Sequence, residues 1–381
     1  MSKHKLDQIR HSLDAVDGRI LEAIAERQRL VEQVVEVKAD SDIQLRDILR
    51  EEAQLSRLSD LARERGLSAY FVKRLFREIL DYSVRFQQHH LIDRDNPDRA
   101  GGKVVVSYQG TDGAYSQMAA EQHFSGFAGD IETQGYASFL GLLEAVASGT
   151  ADYGMLPVEN TTAGSINEAY DLLASTHLSV VGEEVLRVEH CLVGLAGVEL
   201  TDIRRVYSHP QALAQCSAFL AGLDDCTVEA FTDTAMSVQR VRDEGEPSHA
   251  AIASERAAAL YGLSVIARNA ENQTSNYTRF MVVSRKALRF DERVACKTSL
   301  IFSTRHEQGA LLRCLNVLAE RGLNLTKLES RPRMHSPFEY NFYVDFEGNL
   351  ESEAVQKALE EMRSHTAYLK VLGSYPARAP L

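Results

Sequence analysis

The sequence predicts a multidomain chain: an all-α domain at 1–92, a two-lobed α/β domain at 103–284 and a small α+β domain of ferredoxin-like order at 297–381, with linkers at 93–102 and 285–296. Three observations predict it. Apolar residues recur at spacings of three and four through the first ninety positions, the mark of amphipathic helices. Short apolar runs of strand type then alternate with helical stretches, the pattern of an α/β layout. The last block reads βαββαβ. A length of 381 residues exceeds what one ordinary core organises.

The formal charge of −12 excludes a chain-wide nucleic-acid or anionic-membrane surface but leaves room for a local cationic pocket. No apolar run is long enough to cross a bilayer, and the N-terminus lacks the apolar stretch of a secretory signal, so a cytoplasmic protein is expected. Cys191, Cys216, Cys226, Cys296 and Cys314 are odd in number and have no metal-ligand spacing. They are expected to be reduced thiols, and no metal site is expected.

The first helix is expected from Leu6 to about Val37, with Leu6, Ile9, Leu13, Val16, Ile20 and Ile24 on one stripe. At that length it spans about 50 Å, more than a lone small bundle covers, so a second chain is its natural cover. A second helix fits Leu45 to Arg65 with Gly66 as its stop, and Ser68 caps a third running to about Leu91. Polar residues interrupt or flank the stripe at selective spacings. Arg27 and Lys38 are three turns apart on one face, with bases roughly 16 Å apart and tips able to converge on a small anion. Arg10 lies about 25 Å further back and rotated about 100°, so it reaches that anion only from another chain. Asp47, Arg50 and Glu51 share a helix face, as do Ser83 and Gln87.

On these eight residues Leu6 to Gln88 resembles the all-helical chorismate mutase domain found at the front of bifunctional prephenate-forming enzymes. The resemblance implies that Arg10, Arg27 and Lys38 bind the substrate carboxylates and ether oxygen, and that Arg50 reaches a carboxylate. Asp47 and Glu51 would take the hydroxyl, with Ser83 and Gln87 completing the pocket and Gln87 beside the ether oxygen. It also implies an interlocked dimer. A pericyclic rearrangement needs no nucleophile, only a held conformer and stabilised charge, which gives Lys38 and Gln87 the catalytic role.

In the second block the strand candidates are Val104–Val106, Tyr153–Leu156, Leu178–Val181, Val185–Val193, Val228–Ala230, Ala250–Ala253 and Met281–Val283. Helices are expected at 115–124, 139–147, 166–175, 212–221 and 235–243. Loops after strands carry the polar clusters: Gly110-Thr-Asp-Gly113-Ala-Tyr-Ser116, Glu159-Asn160-Thr161-Thr162, Ser208-His209-Pro210 with Gln215, and Thr278 opening a strand. Such sheets bind ligands beyond their strand ends. The glycines suit an anion nest as well as an ordinary turn, and the dinucleotide fingerprint is absent, so no cofactor is expected. His209 has no Ser or Cys nucleophile motif beside it and is read as a structural loop residue.

In this order the clusters resemble the prephenate dehydratase domain over Lys103 to Ser284, with Tyr277-Thr278-Arg279-Phe280 at its Thr-Arg-Phe signature. Thr111 stands where that family commonly has proline. The resemblance implies Thr278 as the catalytic group, Glu159 as supporting acid, Asn160, Ser208 and Gln215 as cleft residues, and Thr161 and Ser116 as further binders.

In the last block strands are expected at Lys297–Phe302, Leu323–Ser330, Glu339–Phe346 and Tyr368–Tyr375, with helices at Leu311–Arg321 and Ser352–Met362. Gly309-Ala310-Leu311 and Glu329-Ser330-Arg331-Pro332 resemble two motifs of the ACT regulatory domain. The expected partners are therefore chorismate and prephenate as substrates, L-phenylalanine as effector and a second copy of the chain, with no nucleic acid or membrane. Two other readings remain, a non-catalytic solute sensor and a dehydrogenase in place of the dehydratase. The mutase residues oppose the first; Thr-Arg-Phe and the missing GxGxxG oppose the second.

Overall fold

The computed structural model describes residues 2–39, 47–97, 102–127, 129–333 and 339–377. They form two compact units, Met1–Ala100 with Arg289–Val294, and Gly101–Leu288 with Ala295–Leu381.

The first unit is helical: α1 (Ser2–Ala39), α2 (Ile48–Glu64) and α3 (Ala69–Asp95). Asp47 caps α2 by accepting from Arg50 N at 3.0 Å, and Ser68 caps α3 by accepting from Phe71 N at 3.3 Å. Val31, Val35, Leu55, Ala62, Val72, Leu80 and Val84 are buried. The N-terminal half of α1 is another matter, with Leu13 57% and Leu21 68% exposed beside Leu6, Ile9 and Ile20. Each such side chain gains roughly 1.5–3 kcal/mol on full burial. The strip expected as a linker is partly folded. Asp291 pairs with Arg94 at 3.0 Å and Arg293 at 2.6 Å, and Asn96 exchanges hydrogen bonds with Arg289 across the end of α3. Charge pairing, which apolar periodicity does not register, makes this segment part of the helical unit.

The second unit opens with β1 (Val104–Gln109), α4 (Tyr115–His123), β2 (Ile131–Tyr136), α5 (Phe139–Ser148), β3 (Tyr153–Asn160), β4 (Gly164–Ser165), α6 (Asn167–Ser175) and β5 (Ser179–Arg187). The chain then crosses into a second lobe: β6 (Cys191–Gly194), β7 (Arg205–Ser208), α7 (Pro210–Gln215), α8 (Ser217–Ala221), β8 (Thr227–Ala230), α9 (Thr234–Glu244), β9 (His249–Ala253), α10 (Glu255–Leu260) and β10 (Ser264–Ala267). It returns as β11 (Tyr277–Ser284), which enters the first sheet between β3 and β5. The sheets run β2-β1-β3-β11-β5 and β10-β6-β9-β7-β8. Two crossings, near His190 and Asn276, therefore join the lobes, and a cleft lies where they meet.

The C-terminal part is β12 (Cys296–Thr304), α11 (Ala310–Glu320), β13 (Leu325–Pro332), β14 (Tyr340–Glu347), α12 (Glu353–His365) and β15 (Thr366–Pro376), in an antiparallel sheet ordered β13-β14-β12-β15. Leu300, Phe302, Val344 and Phe346 pack against Cys314, Val317, Leu318, Leu359 and Met362 of the two helices. The sheet also docks on the first lobe. Gly373 approaches Val180 so closely that a Cβ there would overlap the Val180 carbonyl. Lys370 Nζ donates to the carbonyls of Leu173 at 3.0 Å and Ala174 at 3.2 Å, at the end of α6.

Candidate active sites

In the helical unit the structure gathers Arg27, Ser83 and Gln87. Arg27 donates to Ser83 Oγ, which donates to Ile79 O at 2.8 Å, and Gln87 Nε2 donates to Ser83 O at 3.2 Å. Ser83 and Gln87 are buried, and among the described residues Gln87 Oε1 has no hydrogen-bond partner. Burial lowers the pKa of Arg27, whose partner is a hydroxyl rather than a carboxylate. A partly desolvated guanidinium with no counter-ion among the described residues suits an anionic ligand. Arg10 is not brought to this cluster. Its side chain is 65% exposed beside Asp7 at 3.6 Å. Asp47 caps α2, with Arg50 and Glu51 in the following turn. Lys38 lies in the last turn of α1, and its side chain falls outside the described residues.

The cleft of the second unit encloses a cavity of about 480 Å³. Thr278 enters it from the start of β11, directly opposite Asn160 on β3. Asn160 Nδ2 donates to Thr278 Oγ1 at 3.0 Å and to Asn276 Oδ1 at 2.8 Å. Among the described residues the Thr278 hydroxyl hydrogen has no acceptor, which leaves it to face the cavity. Asn160 Oδ1 accepts from Thr162 N and Ala163 N, both at 3.0 Å, and from Gln215 Nε2 at 3.2 Å. These partners settle which end of each amide is nitrogen.

Among the described residues the cavity lining includes no lysine or arginine. It carries the carboxylates of Glu168 and Asp233, and helix starts supply its N–H donors. Tyr115 and Ser116 open α4, which has no side-chain cap, while Ser138 caps α5 and His209 caps α7. Unpaired N–H groups at a helix start favour an anion. Gly110 and Gly113 make the preceding loop possible, with φ +115 and +90. A Cβ on Gly110 would sit 2.9 Å from Asp233, and one on Gly113 3.2 Å from Ala257, so this first-lobe loop packs directly on the second lobe. Asp233 is half-buried, and desolvation raises its pKa although it caps α9. Burial lowers the pKa of His190 and of His209.

Three residues expected in the cleft do not line the cavity; for Glu159, strand alternation turns it to the face opposite its neighbour Asn160. Glu159 points away from the cavity and pairs with Lys327 of β13 at 2.9 Å. Ser208 is buried in the second lobe and donates to Ile252 O at 2.7 Å. Thr161 ties its turn to the returning crossing, donating to Ser275 O at 3.0 Å and accepting from Tyr277 N at 2.9 Å. Conversely Tyr115, His190, His209 and Asp233 line the cavity without having been expected as functional residues. For His209 the Pro210 beside it was the available signal. His190 carried none, since it follows an apolar strand in a stretch expected to be continuous.

In the C-terminal part Gly309 precedes α11 in the left-handed region (φ +72), Ala310 is buried and Leu311 packs on the core. On β13, Glu329 accepts from Ser165 Oγ at 2.8 Å and Arg331 pairs with Asp171 at 2.8 Å, so both side chains face the first lobe. Ser330 and Pro332 alternate with them and pair with Phe342 and Tyr340 of β14.

The chorismate mutase type II family matches residues 9–88, and the prephenate dehydratase family residues 106–288. The bifunctional chorismate mutase/prephenate dehydratase of Escherichia coli (strain K12) is 39% identical over 379 residues, covering 99% of this chain and 97% of that one. Among solved structures, the Arthrobacter aurescens prephenate dehydratase in complex with L-Phe is 29% identical with a TM-score of 0.65, covering 72% of this chain and 90% of its own. A chain described as GqqA, a novel type of quorum quenching acylase, is 36% identical with a TM-score of 0.65, over 72% of this chain and 98% of that one.

Proposed function

This chain belongs to the bifunctional chorismate mutase/prephenate dehydratase family, and from that premise we propose how its parts divide the work. It rearranges chorismate to prephenate and converts prephenate to phenylpyruvate. The first reaction is placed in the helical unit. There Arg27 supplies a desolvated cation, and Gln87 a buried amide beside the ether oxygen that gains charge as its bond breaks. Lys38 is assigned the same oxygen. The exposed apolar stripe of α1 and the remote Arg10 support a homodimer, in which Arg10 of one copy completes the pocket of the other.

The second reaction is placed in the cleft, and the observation that carries it is the Asn160–Thr278 hydrogen bond. Because Thr278 Oγ1 is an acceptor there, its own hydrogen is directed at the substrate. As the ring carboxylate leaves as carbon dioxide, its bonding electrons enter the ring and expel the hydroxyl group, which takes up a proton and departs as water. A hydrogen bond from Thr278 stabilises that departure. The carboxylates of the dianion are assigned to the helix starts around Ser116 and Ser138. Glu159 is given no part in this chemistry, because its side chain is on the other face of β3.

The C-terminal sheet is read as an ACT domain that binds L-phenylalanine and lowers dehydratase activity, with Gly309–Leu311 and Glu329–Pro332 as effector residues. The L-Phe complex of the Arthrobacter aurescens neighbour supports this reading. Inhibition requires that phenylalanine bind the less active state better. The test is to incubate the purified chain with chorismate, without nicotinamide cofactor, and follow prephenate and phenylpyruvate with and without phenylalanine. Appearance of both products, the second suppressed by phenylalanine, is the expected result. Prephenate accumulation without phenylpyruvate would remove the dehydratase assignment.

A further inference from the structure

His190 is 2% exposed and sits where the chain first crosses between the lobes, with every polar atom engaged. Its Nε2 faces Gln215 Oε1 at 2.9 Å and its Nδ1 faces the Tyr115 hydroxyl at 3.1 Å. Its backbone N–H donates to Glu271 at 3.0 Å. The bond directions can be worked outward from backbone donors, which have no alternative. Thr162 N and Ala163 N both donate to Asn160 Oδ1, so the Asn160 nitrogen must face Asn276 and Thr278. Gln215 meets that same oxygen at 3.2 Å, and Thr162 Oγ1 at 2.6 Å, with its nitrogen. Its oxygen therefore faces Asn276 Nδ2, at 3.1 Å, and His190. A carbonyl oxygen facing an imidazole nitrogen requires the hydrogen on that nitrogen.

We propose that His190 is a positioning residue for the dehydration step, its Nε2–H holding Gln215 so that Gln215 holds Asn160 and Asn160 presents Thr278. The proposal rests on the cleft being the prephenate site. The chain of bonds spans the cleft, with Tyr115, Asn160 and Thr278 on the first lobe, Gln215 on the second, and His190 and Asn276 on the two crossings. Closing the lobes in the right register is thus the same event as aiming the Thr278 hydroxyl. The Tyr115 hydroxyl lies over Nδ1 with one hydrogen to share between Nδ1 at 3.1 Å and Glu189 O at 2.6 Å, and the two rings meet edge to face at 5.7 Å. Buried networks of this kind hold one geometry when every member is satisfied.

Two substitutions separate the hydrogen from the bulk. His190→Leu removes the donor, and His190→Gln places an amide nitrogen where Nε2 sits. For His190→Leu kcat on prephenate is expected to fall about tenfold to a hundredfold with KM changed less than about threefold, and His190→Gln to recover most of the loss. Thermal unfolding of both variants shows whether the fold survives. Nitrogen-15 spectra of the wild-type imidazole are expected to show the hydrogen on Nε2 at neutral pH, whether or not the chain turns over prephenate. A neutral ring protonated on Nδ1 would overturn the proposal. So would wild-type kcat in His190→Leu, or a folded His190→Gln no better than His190→Leu. A wild-type chain that leaves prephenate unconverted removes the assigned reaction, while the tautomer still judges the arrangement.

Discussion

Lys327 of β13 holds Glu159 of β3 at 2.9 Å, and the next residue along β3 is Asn160, which holds Thr278. The C-terminal sheet and the cleft thus grip adjacent residues of one strand from opposite faces. If Glu159 served as an acid, Glu159→Gln would lose at least about a hundredfold in dehydratase kcat. Placed as it is, the variant should keep kcat within about threefold and shift the phenylalanine concentration needed for inhibition. Steady-state rates across a phenylalanine titration check both parts.

Thr278→Ala should lower dehydratase kcat by about a hundredfold or more, since it removes a donor to the departing hydroxyl. Mutase activity in the same preparation should remain. Thr278→Ser, which keeps the hydroxyl, should recover part of the rate. Separate assays on chorismate and on prephenate decide it, and joint loss of both activities would contradict independent sites.

Gln87→Ala and Lys38→Ala should each lower mutase kcat by about 10²–10³ while leaving prephenate conversion untouched. Circular dichroism melts distinguish this outcome from unfolding of the helical unit. Near wild-type mutase turnover in Gln87→Ala would remove that residue from the site.

Gly373→Val should loosen the docked sheet, because any Cβ there collides with the Val180 carbonyl. A loss of about 1–3 kcal/mol is typical of forced overpacking. The expected signature is a lower unfolding temperature together with weaker inhibition by phenylalanine, and an unchanged response would mean that the contact does not couple the two parts.

Burial lowers the pKa of His190 from its ordinary 6.5. The unfolded chain therefore binds the proton more readily, so stability contributed by the neutral ring is present above pH 6.5 and declines as pH falls from there toward the folded value. Unfolding free energy measured from pH 8 to pH 5 should fall more steeply for wild type than for His190→Gln. Parallel curves would show that the ring does not titrate in this way.

The helices of the first unit were legible because capping residues and apolar spacing agree, as at Ser68 and Gly66. The strands the sequence did not disclose were those with weak apolar signals. β2 reads Ile-Glu-Thr-Gln-Gly-Tyr at the edge of its sheet, and each of its residues is exposed or half-buried. Leu178–Val181 and Val185–Val193 were expected as two strands, whereas the structure runs β5 through Ser179–Arg187 and breaks at Val188–His190, where the lobes part. In the cleft, Thr278, Asn160 and Gln215 stood in recognisable motifs and meet in space. Glu159 and Ser208 stood in the same motifs and face elsewhere, because a motif names a strand but not which face each residue takes. His190 and Tyr115 belong to the site through a juxtaposition of two lobes that no local pattern records.

Arg279, next to Thr278, keeps 15% of its side chain exposed and reaches Asp345 at 2.6 Å, Glu183 at 3.0 Å and the Tyr375 hydroxyl at 3.0 Å, while Lys297 joins Glu183 at 2.8 Å. Burial alone would lower its pKa, but the surrounding acidic groups outweigh it and hold the guanidinium charged. Half of this cluster belongs to the catalytic lobe and half to the sheet behind it. A shortened chain ending before residue 295 would take Lys297 and Asp345 from this cluster and leave the Arg279–Glu183 pair on an uncovered face of β11. The sheet is therefore not a detachable accessory. Recombination or engineering that seeks a dehydratase freed from feedback would have to move lobe and sheet together, or rebuild the back of β11 from apolar residues.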